Sequence, residues 1–270
     1  MKTKILIIYY FLAFSILFSQ TSINEISEKY KSQNDWGKYF DESGVEGTFI
    51  LYNLNEDSLK VYNQERAEKQ FLPASTFKIL NSLISLEVKA VKDENEIIKW
   101  DGVKRFYDAW NQDQSMKSGI KISCVWFYQE LARRVGFERM QMYIDSVNYG
   151  NKKLGDKIDT FWLEGELRIS AVEQILFLRK FVRKELPFSE QNLETVKNIM
   201  QVDSTKNYKM YAKTGMTARV EKSIGWYVGF VEAKNNFYLF ALNIDINKDE
   251  DAKERIEITL DILKSQSIIN

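Results

Sequence analysis

The 270-residue sequence contains no histidine, one cysteine and two prolines. Without imidazole no serine–histidine–acid triad can form, so a nucleophilic hydroxyl here must find another base. A single cysteine, Cys124, excludes an intrachain disulfide. With neither histidine nor a second thiol, a metal site is left with oxygen ligands, and no calcium-loop spacing is present. Two prolines and twelve glycines leave little material for long flexible hinges. Charge of one sign is not in excess either: 38 basic residues balance 38 acidic ones, which argues against a nucleic-acid partner.

Apolar material is plentiful, at 44% of residues with 14% aromatic, and supports one large domain or two closely packed lobes. The stretch from Ile5 to Phe18 carries no charge, follows Lys2 and Lys4, and precedes small polar residues. It is short for a membrane span and has the layout of a secretory signal cleaved near Ser19 or Gln20. The expectation is removal of residues 1–19, a periplasmic or secreted protein without membrane attachment, and one mature domain over 20–270.

Helical spacing of Ile23, Ile26, Tyr30, Trp36 and Phe40 predicts a helix over Ser22–Phe40. "GTFILYNLNEDSLKVYN" predicts a hairpin. Helical patterns then dominate to about Asp203, with Ser170–Glu173 in capping-box spacing and Ser189 as a second helix start. Thereafter "YKMYAKTG", "IGWYVGFVE" and "NFYLFALNIDI" predict strands and "DAKERIEITLDILKSQ" a closing helix. The pattern predicts a mixed α/β (α+β) fold. A central antiparallel sheet is built from both chain ends (20–70 and 205–270), flanked by terminal helices, with an inserted helical lobe over 71–204.

One lysine interrupts the stretch "LPASTFKILNSLISLE". On a helix, Ser75, Lys78, Asn81, Ser82 and Ser85 share a narrow stripe while apolar residues cover the remaining faces, so the stripe faces something other than bulk water. Ser75 falls in the first turn, where free N–H groups favour developing negative charge, and Lys78 lies one turn on. Burial favours the neutral amine, which can accept the serine proton; the plain reading is a lysine that snorkels to solvent. "SGIK", Ser118 to Lys121, has the same spacing in a polar stretch and serves as an internal control.

Other short motifs follow. "KTG", Lys213 to Gly215, ends a predicted strand and could meet an extended amide and a carboxylate. "SCV", Ser123 to Val125, offers a second hydroxyl. "YGN", Tyr149 to Asn151, is a loop, and "DTFWLEG", Asp159 to Gly165, supplies an apolar wall with one indole N–H. Singly, each has a structural reading: Tyr149 and Trp162 as core aromatics, Ser123 as a helix cap, Cys124 as a small buried hydrophobe.

Together, S-x-x-K and a later K-T-G resemble the penicillin-recognising serine enzymes. The finer set "STFK", "SCV", "YGN", "FWLEG" and "KTG" resembles the class D β-lactamases, with flanking likeness from Phe71 to Arg255. The resemblance implies that fold, and hydrolysis of the β-lactam amide through an acyl-serine intermediate. It implies Ser75 as nucleophile and Lys78 as base, carrying a carbamate formed from carbon dioxide (N6-carboxylysine). Trp162 would donate to that carbamate, Val125 and Leu163 would control water access, and Ser123 would relay a proton to the leaving nitrogen. The oxyanion hole would use the backbone N–H groups of Ser75 and Met216, and Lys213, Thr214, Gly215 and Arg255 would bind substrate. No metal or organic cofactor is implied beyond carbon dioxide or bicarbonate, and β-lactam antibiotics are the expected partners of a monomer or homodimer. A covalent β-lactam sensor domain or a D-Ala-D-Ala peptidase would share the nucleophile but deacylate slowly; Val125 and the "FWLEG" tract favour the hydrolase.

Overall fold

The computed structural model describes residues 30–217 and 221–270. The export signal read over residues 1–19 lies outside them. Where one helix was expected over Ser22–Phe40, the described part is a strand, β1 (Tyr30–Ser32), a 3-10 turn (Asn34–Trp36) and helix α1 (Gly37–Ser43). A non-local pairing overrides the local spacing here, since β1 runs parallel to β3 (Ser58–Tyr62) and Gln33 N–H donates to Val61 O at 2.8 Å. Trp36 and Phe40 keep their helical offset and are both buried.

The predicted hairpin forms as β2 (Gly47–Asn53) and β3, followed by a short helix α2 (Gln64–Glu68). The later strands are β4 (Gln201–Ser204), β5 (Tyr208–Met216), β6 (Ile224–Ala233) and β7 (Asn236–Asp245). They complete a seven-stranded sheet of order β1-β3-β2-β7-β6-β5-β4, antiparallel except at β1–β3. The central strands β2, β6 and β7 are buried along almost their whole length, which explains their near-continuous apolar sequence. Gln201–Ser204, assigned above to the helical lobe, instead pairs with β5; all four residues are exposed, so no alternating apolar pattern marks the strand.

Strand alternation sorts the core into two layers. Phe49, Leu51, Met210, Ala212, Phe240 and Leu242 pack with Trp36 and Phe40 and with Ile258, Ile262 and Leu263 of the terminal helix α9 (Asp251–Ser265). Ile50, Tyr52, Tyr211, Trp226, Phe230 and Leu239 join the larger core beneath the intervening helices. Those are α3 (Lys78–Glu87), α4 (Met116–Lys121), α5 (Val125–Val135), α6 (Phe137–Val147), α7 (Ala171–Val182) and α8 (Glu190–Ile199). The cap signals form as expected. Ser170 Oγ accepts from Glu173 N–H while Glu173 accepts from Ser170 N–H, and Ser189 Oγ accepts from Asn192 N–H. Each such cap stabilises its helix by about 1 kcal/mol.

Candidate active site

Helix α3 is enclosed from Lys78 to Leu86, so the polar stripe read from its sequence meets protein on every side. A 3-10 turn, Ala74–Phe77, leads into it and carries Ser75. Ala74, just before the serine, has φ +47°, a left-handed conformation that costs an alanine roughly 1–3 kcal/mol. Neighbouring hydrogen bonds hold it there. Ala74 N–H donates to Trp162 O at 2.9 Å, Trp226 Nε1 to Leu72 O at 2.9 Å, Thr76 Oγ1 to Pro73 O at 2.7 Å, and Gln174 Nε2 to Thr76 Oγ1 at 2.8 Å.

Lys78 has no exposed surface, and its Nζ lies 2.6 Å from Ser75 Oγ. The Tyr128 ring stands 5.4 Å from the same nitrogen. Burial brings the ammonium down to about 7 from 10.5. Near neutrality the amine is therefore available as a proton acceptor for the hydroxyl that touches it. Trp162 stacks on Phe77 with ring centroids 5.5 Å apart, and Tyr149 and Phe161 close other sides of that ring. Trp162 Nε1 is buried with no partner among the described residues. The control pair behaves otherwise: Ser118 Oγ completes a capping box with Ser115 and donates to Gln114 at 2.7 Å, and Lys121 is exposed.

Ser75 opens into a cleft of ≈ 470 Å³ whose lining includes Ser123, Val125, Leu163, Thr214, Met216 and Arg255. Ser123 sits in a left-handed turn (φ +55°), with Cys124 as the N-cap of α5. Lys213 to Met216 end strand β5, and Gly215 brings that strand against the nucleophile turn. A Cβ there would stand 3.1 Å from both Pro73 O and Thr76 Cγ2. Arg255, on α9, donates from Nη1 to Gly215 O at 2.7 Å. Lys213, like Lys78 and Trp162, is buried and does not line the cleft, and its Nζ donates to Thr214 O at 3.0 Å. Burial first, then the charges of Lys78 and Arg255, push its ammonium well below the ordinary lysine value.

The sequence reading missed one wall. Phe106, Tyr107, Trp110 and Ile122 also line the cleft, and Phe106 is 92% exposed. The aromatic cluster within "RFYDAW" was the available signal, but the segment has no periodicity that would tell a cleft wall from a surface loop.

The family model described as penicillin binding protein transpeptidase domain matches residues 28–264. β-Lactamase OXA-48 of Klebsiella pneumoniae is 40% identical over 261 residues, covering 96% of this chain and 98% of that protein. The crystal structure of the class D β-lactamase YbXI from Nostoc superposes with a TM-score of 0.86 at 44% identity, over 87% of this chain and 99% of that one. FUS-1 (OXA-85), a class D β-lactamase from Fusobacterium nucleatum subsp. polymorphum, gives 0.86 at 40% identity, over 89% and 100%. Likeness of this degree, over nearly the full length of each relative, means that the chain belongs to the class D β-lactamases, within the penicillin-binding protein transpeptidase family.

Proposed function

We propose that the protein hydrolyses the lactam amide of penicillin-type antibiotics through an acyl-Ser75 intermediate. The observation that carries this reading is the 2.6 Å approach of the Ser75 hydroxyl to an amine that burial brings down to about 7. The Ser75 proton passes to Lys78 as Oγ bonds to the lactam carbonyl carbon. The backbone N–H groups of Ser75 and Met216 receive the oxyanion. When the C–N bond breaks, Ser123 relays a proton to the leaving nitrogen and receives in its place the one that Lys78 took from Ser75. Thr214 and Arg255 hold the substrate carboxylate at the cleft, and the buried Lys213 positions Thr214 by donating to its carbonyl.

Carbon dioxide held on Lys78 as a carbamate would supply an anionic base for deacylation. Trp162 Nε1, buried and without a partner among the described residues, would donate to it. Val125 and Leu163 line the cleft beside Ser75 and limit how water enters. The scheme uses no metal or organic cofactor. Export through residues 1–19 belongs to the same proposal; among the described residues no helix is long and apolar enough to cross a membrane.

Steady-state hydrolysis of a penicillin by purified protein, with and without bicarbonate, tests the reading. Sustained turnover raised by bicarbonate supports it. A burst of one equivalent with no steady rate overturns it in favour of a covalent sensor or a slow peptidase.

A further inference from the structure

Segments 70–76 and 169–174 are joined at three points. Phe71 and Ile169 form an isolated antiparallel bridge, with N–H to O distances of 2.9 and 2.8 Å. Gln70 Nε2 donates to both carboxylate oxygens of Glu173, at 2.9 and 3.0 Å, on the exposed side. The third tie alone reaches the residue after the nucleophile: Gln174 Nε2, on α7, donates to Thr76 Oγ1 at 2.8 Å across 98 positions of chain. Both of these side chains are 1% exposed, and neither lines the cleft.

The direction of these bonds follows from their chemistry. Pro73 O can only accept, so the Thr76 hydroxyl gives its proton there, at 2.7 Å, and Gln174 must present its NH2 side. Pro73 O also accepts from Thr76 N–H at 3.1 Å, so residues 73 and 76 are tied twice around Ser75. The strand β5 seats on the same two residues. A Cβ on Gly215 would stand 3.1 Å from Pro73 O and from Thr76 Cγ2, and 3.3 Å from Thr76 N. Gly215 immediately precedes Met216, which carries one oxyanion donor of the proposed reaction, and Ser75 carries the other. We infer that Gln174 is a positioning residue for acylation: acting through Thr76, it holds the Ser75 turn against Gly215 and fixes the gap between the two N–H groups that receive the oxyanion. This rests on the hydrolase reading only as far as acylation of Ser75.

Gln174→Met and Thr76→Val keep side-chain volume and each remove one end of the tie, while Thr76→Ser keeps the hydroxyl. Pre-steady-state acylation by a chromogenic cephalosporin, expressed per site titrated in the burst, gives a rate constant from which misfolded material drops out. A phenylboronate, whose tetrahedral adduct with Ser75 places an oxygen between the same two donors, gives a Ki. The expected result for Gln174→Met and Thr76→Val is acylation slowed roughly tenfold and a boronate Ki raised by the same factor. The double variant should lose no more than the worse single one, Thr76→Ser should match the parent, and the bicarbonate requirement should not move. Should Gln174→Met not fold, Thr76→Val against Thr76→Ser decides. Parental rates in the first two variants, additive losses, slow acylation with an unchanged Ki, or a Thr76→Ser as impaired as Thr76→Val overturns the brace. A parent that gives the burst without turnover overturns the hydrolase reading and leaves this comparison standing, because it reads acylation alone.

Discussion

Lys78 Nζ and Ser75 Oγ stand 2.6 Å apart at the start of α3, and the lysine has no contact with solvent. The fold thus encloses an amine whose charged form it disfavours, against the side chain that needs a base.

This enclosure costs stability in a pH-dependent way. Below pH 7 both states of the chain protonate Lys78, and the folded state bears the full penalty. Between about 7 and 10.5 the unfolded chain holds a proton that the folded chain has lost, so native stability rises with pH. Lys78→Met, of similar volume, should abolish turnover yet melt above the parent at pH 7 and below, with the advantage fading toward pH 10.5. Melting curves in buffer freed of carbon dioxide check this; a lower Tm for the variant at pH 7 would contradict the assignment.

Trp162 acts at two points: its carbonyl anchors Ala74, and its indole N–H has no partner among the described residues. Trp162→Phe removes the second and keeps the first. It should fold, and need roughly tenfold more bicarbonate, or beyond, for half-maximal activity, in line with a lost bond to a charged group. Activity indifferent to bicarbonate in both proteins would remove the indole from the mechanism.

Gly225 pairs with Met216 across β5–β6, and a Cβ on it would fall 2.6 Å from Arg255 Cδ. Arg255→Ala should raise KM for a penicillin by roughly ten- to hundredfold with a smaller change in kcat. Gly225→Ala should raise KM in the same direction by displacing that arginine. The double variant should be no worse than Arg255→Ala alone, and additive losses would show that Gly225 acts by another route.

Asp245 is buried and joined at 2.6 Å to both Arg66 and Lys222. Burial pulls its carboxyl upward, but hydrogen bonds and charge from Arg66 and Lys222 outweigh this and hold it below its usual 3.8. Asp245→Asn should destabilise the protein by about 1 kcal/mol. The difference from the parent should be complete above pH 3.8 and disappear as pH falls through the lower folded-state value. Denaturant titrations at several pH values measure it; a pH-independent difference would mean that packing, not charge, is what the carboxylate supplies.

Local spacing made part of this legible. The Ser75–Lys78 pair follows from one turn of helix, and the enclosure of the lysine follows from apolar residues on the remaining faces. The helix starts at Ser170 and Ser189 follow from side-chain chemistry within four residues. Features assembled from distant segments were not readable. Strand β1 exists because of pairing with β3, and its three residues carry no pattern of their own. β4 is an exposed edge and looks like a loop in sequence. Arg66 and Asp245 meet across 179 positions. The burial of Lys213 away from the cleft lining depends on how β5 stacks on the nucleophile turn, which no spacing rule encodes.

The serine turn is clasped by two indole-bearing residues, Trp226 at Leu72 O and Trp162 at Ala74 N–H. Two of the six tryptophans therefore sit on the catalytic turn itself. The part of the emission change that these two contribute should follow residual turnover through a denaturant titration, because the unfolding that releases them also displaces Ser75.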